Sequence, residues 1–305
     1  MPSACRWPLA KPSEPEVDAR RMPSDWPNRA AMRQIAVRPH QWCVMEQGTG
    51  PAVLLLHGAG GATHSWRALV PLLAPHYRLV VPDLPGQGFT RAGTRQRFGL
   101  DSMAEDLTRL CADQGWQPQA IVGHSAGAAI ALRMAEIMPI TPRAIVGINA
   151  ALGAFEGVAG FLFPLIAKAL ALNPLVPRLV ARLWGNEAKV RNLLGSTGSA
   201  LDAAGIAHYV TLVRDPAHLD GTLSMMAQWR LEGLMARLPG ITTPTLLIAG
   251  SQDRAVPPKV SRASAALMPD AAYVELPGLG HLMHEESPDR TAALIMPFLA
   301  ARLAP

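Results

Sequence analysis

The chain alternates short, wholly apolar runs with stretches whose apolar residues recur at helical spacing. Ala52 to Leu56, Leu79 to Val81, Ala120 to Val122, Ala144 to Ile148 and Thr245 to Ala249 are the continuous runs. Such runs predict strands covered on both faces. Between them, Ser102 to Cys111 places Met103, Leu107 and Leu110 on one side of a helix, with Asp101 or Ser102 as its cap. Ala128 to Met138 predicts a second helix, and Arg290 to Arg302 a closing one. Residues 33–46 alternate and predict a strand pair turning near Pro39 and His40, and Ala272 to Leu276 predicts a late strand. The alternation implies a mostly parallel sheet flanked by helices.

The alternation lapses over residues 153–237, which are helical in pattern, broken by prolines and rich in Phe161, Phe163, Trp184, Met225, Met226 and Trp229. This stretch predicts a helical cap inserted between core segments 33–152 and 238–305. Residues 1–32 read as an arm, in which Asp25-Trp26-Pro27-Asn28-Arg29 marks a docking point. Val158 to Leu172 is strongly apolar but interrupted by Pro164 and Lys168, too short for a membrane span of about 20 residues.

Composition narrows the function classes. At 305 residues and 49% apolar, the chain can bury a large core. The net charge of +5 is spread without basic blocks, so nucleic acid is not an expected partner. Three distant cysteines, Cys5, Cys43 and Cys111, argue against a disulfide framework or a cysteine-based metal site. No apolar leader opens the chain. The expected location is the cytoplasm, with contact to a membrane surface left open.

Chemistry enters at the ends of the strands. Gly123-His124-Ser125-Ala126-Gly127 joins a buried strand to a helix and reads as a nucleophile elbow, with the serine exposed at the helix N-terminus. His57-Gly58-Ala59-Gly60-Gly61 follows another buried strand. It lacks the Lys-Ser/Thr ending of a phosphate loop and the spacing of a dinucleotide fingerprint, which favours an oxyanion loop. Within it His57 reads as a brace. Asp253 and His281 each follow a strand and complete the order Ser, acid, His, the order expected of Ser-His-acid catalysis. Backbone N–H groups of Ala59 and Ala126 are the expected oxyanion donors. Glu156 is an alternative acid, and His64, His124 and His284 are weaker candidates for the base. His57, Gly58, His124, Trp184, Met225, Met226 and Trp229 are candidate pocket residues for a hydrophobic small molecule. No metal or cofactor motif appears.

From about residue 40 to 302 the chain resembles the α/β-hydrolase superfamily. More narrowly, it resembles the magnesium-chelatase accessory family of bacteriochlorophyll biosynthesis. The narrower likeness rests on DWPNR (25–29), THSWR (63–67), DLPGQGFT (83–90), GHSAGAA (123–129), STGSALD (196–202), MMAQW (225–229) and GLGHLMHEE (278–286). Gln87 stands where a histidine is common and Arg230 where an acid is common. The resemblance implies a role near magnesium insertion into protoporphyrin IX, a tetrapyrrole ligand and contact with magnesium chelatase subunits. It leaves two readings: a serine hydrolase, or a porphyrin-binding accessory. The chain has no Walker motif and no carboxylate cluster for Mg²⁺, so it is not the ATP-driven motor.

Overall fold

The computed structural model describes residues 22–153, 173 and 175–303. Eight strands form one sheet: β1 (Met32–Val37), β2 (His40–Gln47), β3 (Ala52–Leu56), β4 (Arg78–Pro82), β5 (Ala120–His124), β6 (Ala144–Ile148), β7 (Thr245–Gly250) and β8 (Ala271–Leu276). Their order is β1-β2-β4-β3-β5-β6-β7-β8. β1 and β2 pair antiparallel, as do β2 and β4, and the strands from β4 onward are parallel. The chain runs from β3 outward to β4 and then crosses back to β5 on the other side of β3. The carboxyl ends of β3 and β5 therefore flank a topological switch point, where open α/β sheets form their crevice.

The continuous apolar runs are explained by helices on both faces. Alternate strand residues Leu54, Leu56, Ile121 and Ile145 enter a core with Met103, Leu107, Ile130 and Met134. Val53, Leu55, Val122 and Val146 enter the opposite core with Trp66, Leu73, Ile295 and Leu299. Of the helices, α1 (Val70–Leu73) is a single turn and α2 spans Leu100–Asp113, beginning two residues before the expected start. Gly99 occupies the cap position without a side-chain bond, and Asp101 instead lies in the first turn, where its charge suits the helix dipole. α3 (Ala126–Ile137) follows β5 directly. Trp26 is buried, its ring edge-on to Phe89 at 4.9 Å and its Nε1 donating to Thr63 Oγ1 at 3.4 Å. Cys43 and Cys111 are buried and free.

Between β6 and β7 the described chain is helical: α4 (Val176–Trp184), α5 (Glu187–Ser196), α6 (Ala203–Val213), α7 (Pro216–Gln228) and α8 (Glu232–Arg237). After β7 come α9 (Pro258–Leu267), α10 (Met283–Glu286) and α11 (Pro288–Leu303). Glu156, Phe161, Phe163 and the Val158 to Leu172 stretch lie outside the described residues, as do Cys5 and most of the arm.

The insertion is fastened to the core by a buried charge node. Glu285, on α10, accepts from Arg67 Nη1 and from the Tyr209 hydroxyl of α6 at 2.7 Å. Arg67 Nη2 also reaches Asp202 Oδ1, the N-cap of α6, at 3.3 Å. Burial outweighs the attraction of Arg67 and pushes the Glu285 carboxyl up to about 7, while Arg67 keeps its charge. Burial likewise pushes Asp83 up to about 7, although its carboxylate accepts from the Thr63 and Phe89 N–H groups. Both carboxyls hold their proton in the folded state through a window, from the ordinary carboxylate range near 4 up to about 7, where the unfolded chain has released it. Stability therefore falls as pH rises through that window. Glu285→Gln should reduce this slope in chemical denaturation, leaving the contribution of Asp83. Above about pH 7, where Glu285 carries its charge, Arg67→Met leaves that charge without its cation and should cost about 3–5 kcal/mol, more than Glu285→Gln costs.

Candidate active site

Ser125 sits between β5 and α3 with φ 52° and ψ −116°, a conformation that a side-chain-bearing residue adopts only when its surroundings impose it. Two glycines make the turn passable. A Cβ on Gly123 would lie 2.3 Å from the Gly127 carbonyl oxygen, and one on Gly127 would lie 2.1 Å from that of Leu56. The Ser125 N–H donates to the Ile148 carbonyl at 2.9 Å, which locks the elbow to β6. Ala126 is the first residue of α3, where backbone N–H groups lack an intrahelical acceptor.

The glycine-rich loop after β3 lies against this elbow. A Cβ on Gly58 would meet Ser125 Cβ at 3.0 Å and His124 Nδ1 at 2.8 Å, so the glycine allows the backbone approach. His57 is fully buried and braces the loop. Its Nε2 accepts from the Leu84 N–H at 2.9 Å, which assigns the proton to Nδ1, donating to the Gly58 carbonyl at 2.8 Å. Burial lowers its pKa to about 4, so the ring is neutral. Gln87 extends the bracing. Its Oε1 accepts from the Gly60 N–H at 2.7 Å, and its Nε2 donates to Met225 Sδ of α7 at 3.1 Å. His218 Nδ1, also on α7, accepts from the Gly88 N–H at 3.0 Å.

Asp253, after β7, is buried. Its Oδ1 accepts from the Ala255 and Val256 N–H groups at 2.8 Å each, leaving Oδ2 for His281 Nδ1 at 2.8 Å. A carboxylate accepts only, so Nδ1 carries the proton and His281 Nε2 is left as the basic nitrogen. The His281 ring lies 4.8 Å from that of His124, the neighbour of Ser125. The structure thus pairs Asp253 with His281, and it places Ser125, Asp253 and His281 on the loops that follow β5, β7 and β8, at the carboxyl ends of parallel strands.

The loop carrying His281 is clamped from three sides. Asn149 Nδ2 donates to the Gly280 and His281 carbonyls at 3.0 and 2.7 Å, and its Oδ1 accepts from the Gly250 N–H at 2.8 Å. His124 Nε2 adds a second donor to the His281 carbonyl at 2.9 Å. Burial, with His284 and His281 nearby, holds His124 well below its ordinary pKa. From the insertion, Ser199 Oγ accepts from the Leu282 N–H at 2.8 Å. Sequence reasoning missed Asn149, although a polar residue directly after a buried strand of an α/β sheet is a usable signal.

The candidate pocket residues fall into different environments. His57 and His124 are engaged by the loops they hold, and Gly58 touches Ser125. Met225 is buried against Gln87, and Met226 and Trp229 are half-buried, Trp229 against the core on the α2 and α3 side of the sheet. Trp184 is instead 46% exposed at the end of α4, with the Lys189 ammonium 5.9 Å from its ring centre. His64 and His284 are fully buried with both ring nitrogens unpartnered, and burial holds both neutral, His284 at about 3. Among the described residues no cluster of His, Cys, Asp and Glu is arranged to hold a metal ion, and no helix is long and apolar enough to cross a membrane.

Asn149→Ala would leave the Gly250 N–H without a partner and remove one donor from the His281 loop. It should lower stability by about 1–3 kcal/mol and speed amide hydrogen exchange at residues 279–282. Unchanged exchange there would remove Asn149 from this role.

The family model of the α/β hydrolase fold matches residues 51–288. The chain is 47% identical to the magnesium-chelatase 30 kDa subunit of Rhodobacter capsulatus, over 93% of this chain and 99% of that protein. It is 29% identical to the pimeloyl-[acyl-carrier protein] methyl ester esterase of Xanthomonas oryzae, over 83% of this chain and 97% of that one. Among solved structures, a thermophilic esterase from Thermogutta terrifontis superposes with a TM-score of 0.71 at 22% identity, covering 90% of this chain and 99% of the other. The chain belongs to the α/β-hydrolase fold family, and within it is similar over nearly its whole length to the magnesium-chelatase 30 kDa subunit.

Proposed function

We propose that the protein is a serine hydrolase acting on a hydrophobic ester or related acyl substrate, in the service of magnesium insertion into a porphyrin. The observation that carries the catalytic part is the 2.8 Å His281–Asp253 hydrogen bond beside the strained turn that presents Ser125. A serine hydroxyl is a poor nucleophile near neutral pH and needs a base. In this reading His281 Nε2 takes the Ser125 proton as Oγ attacks the acyl carbon, and Asp253 stabilises the resulting imidazolium and fixes its orientation. The Ala59 and Ala126 N–H groups bind the oxyanion, each contributing about 3–4 kcal/mol to the transition state. The leaving alcohol takes the proton from His281, and water then cleaves the acyl-enzyme by the same steps in reverse. No metal or cofactor enters this sequence.

The pathway part rests on the similarity to a protein named as a magnesium-chelatase subunit. That similarity also favours a second reading, in which the fold holds a porphyrin, or contacts chelatase subunits, without hydrolysis. The two differ in what Ser125 is for. Purified protein should cleave p-nitrophenyl esters, with longer acyl chains preferred. Ser125→Ala and His281→Ala should each lower kcat by about 10⁴-fold or more, and Asp253→Asn by a similar factor. A host strain carrying Ser125→Ala should then fail to accumulate magnesium porphyrin. Normal accumulation in that strain would favour the non-catalytic reading.

A further inference from the structure

Of the seven large apolar side chains most exposed among the described residues, five lie between positions 175 and 193: Leu175, Leu179, Leu183, Trp184 and Leu193. Three of them share one stripe. Leu175, Leu179 and Leu183 are spaced four apart at the start and along the length of α4 and are 64%, 56% and 49% exposed. Four-residue spacing on a helix places them on one face. The opposite face is committed: Pro177 and Ala181 are buried, and α4 packs on α6 and α7. The Arg214 Nε–H donates to the Gly185 carbonyl at 2.7 Å and secures the end of the helix. The stripe is thus held outward on a docked helix.

Its flank carries charge of one sign. Arg178 and Arg182 are exposed, each one position before a stripe leucine, and neither pairs with an acid among the described residues. α4 contains no Asp or Glu. Beyond it, Lys189 lies near the Trp184 ring and donates to the Leu183 carbonyl at 2.6 Å. In the same neighbourhood the acid Glu187 is already paired, with Arg191 at 2.7 Å. Aliphatic side chains, an edge tryptophan and a one-sided row of cations match the boundary between phospholipid headgroups and acyl chains. A soluble monomer rarely leaves such a cluster uncovered.

We propose that this face of α4 seats the protein on an anionic lipid bilayer, with Leu175, Leu179 and Leu183 entering the acyl boundary and Arg178 and Arg182 meeting lipid phosphates. The contact is peripheral and salt-sensitive, because the arginine contribution is screened within a Debye length. It does not depend on the chemistry of Ser125, so the two proposals fail separately.

The test is flotation of the full-length protein with phosphatidylcholine vesicles and with phosphatidylcholine–phosphatidylglycerol vesicles, at low and high salt. The parent should float with the anionic vesicles at low salt and be released at high salt. Arg178→Gln/Arg182→Gln should weaken binding by about thirty-fold. Leu179→Ser/Leu183→Ser should abolish it, and both variants should keep the parent's thermal melting, because these side chains are exposed. Failure of the parent to float, equal binding to neutral vesicles, or parent-like binding by both variants would overturn the proposal. Light scattering on the same samples separates a competing occupant. Self-association that the leucine variant abolishes, without vesicle binding, would assign the face to a second copy of the chain.

Discussion

The structure depends on one steric constraint, the passage of the backbone from β5 into α3 through a turn with no room for a Cβ on either flank. Only because residues 123 and 127 are glycines can the chain turn so sharply, and only because it does is residue 125 held at positive φ. That crowding has several consequences at once. The first turn of α3 is driven against the carbonyls of Leu56 and His57, so β3 and β5 must end side by side. The loops leaving these two strands then share the switch-point crevice, and Gly58 comes into contact with Ser125. The site is a product of where the strands end, and local propensity alone would not build it.

Around this turn the polar network reduces conformational freedom. The His281 carbonyl receives two donors, Asn149 and His124, while Asp253 is held by two backbone N–H groups before it meets the ring. These contacts come from four separate segments. The insertion joins the same network through Ser199 on the His281 loop and through Met225 and His218 on the segment that holds the glycine-rich loop. Movement of the helical insertion would therefore be felt at both sides of Ser125. Burial also keeps His57, His124 and His284 neutral, so they add no fixed positive charge beside the ring assigned to accept a proton.

Much of the fold was legible in the sequence because strands covered on both faces are written as unbroken apolar runs. Ala52 to Leu56 and Ala144 to Ile148 match their strands residue for residue. The pairing of Asp253 with His281 could be anticipated from their positions after strands. The fastening of the insertion could not. Arg67, Asp202 and Glu285 are far apart in the chain, and no local pattern says that Arg67 joins the buried Glu285 to the exposed Asp202. Gln87 departs from the family pattern, yet its bridge between Gly60 and Met225 shows only in three dimensions. The start of α2 differs from the sequence expectation for a local reason: Asp101 suits a helix cap, but a charge in the first turn serves the dipole as well.

Activation of Ser125 as a nucleophile by this scaffold can be read out by covalent labelling. Purified protein would be treated with a fluorophosphonate, digested and mapped by mass spectrometry. One adduct is expected on the Ser125 peptide, formed by the parent and lost when His281 is replaced by alanine. A folded protein that forms no adduct, or one whose labelling is indifferent to His281, would contradict it.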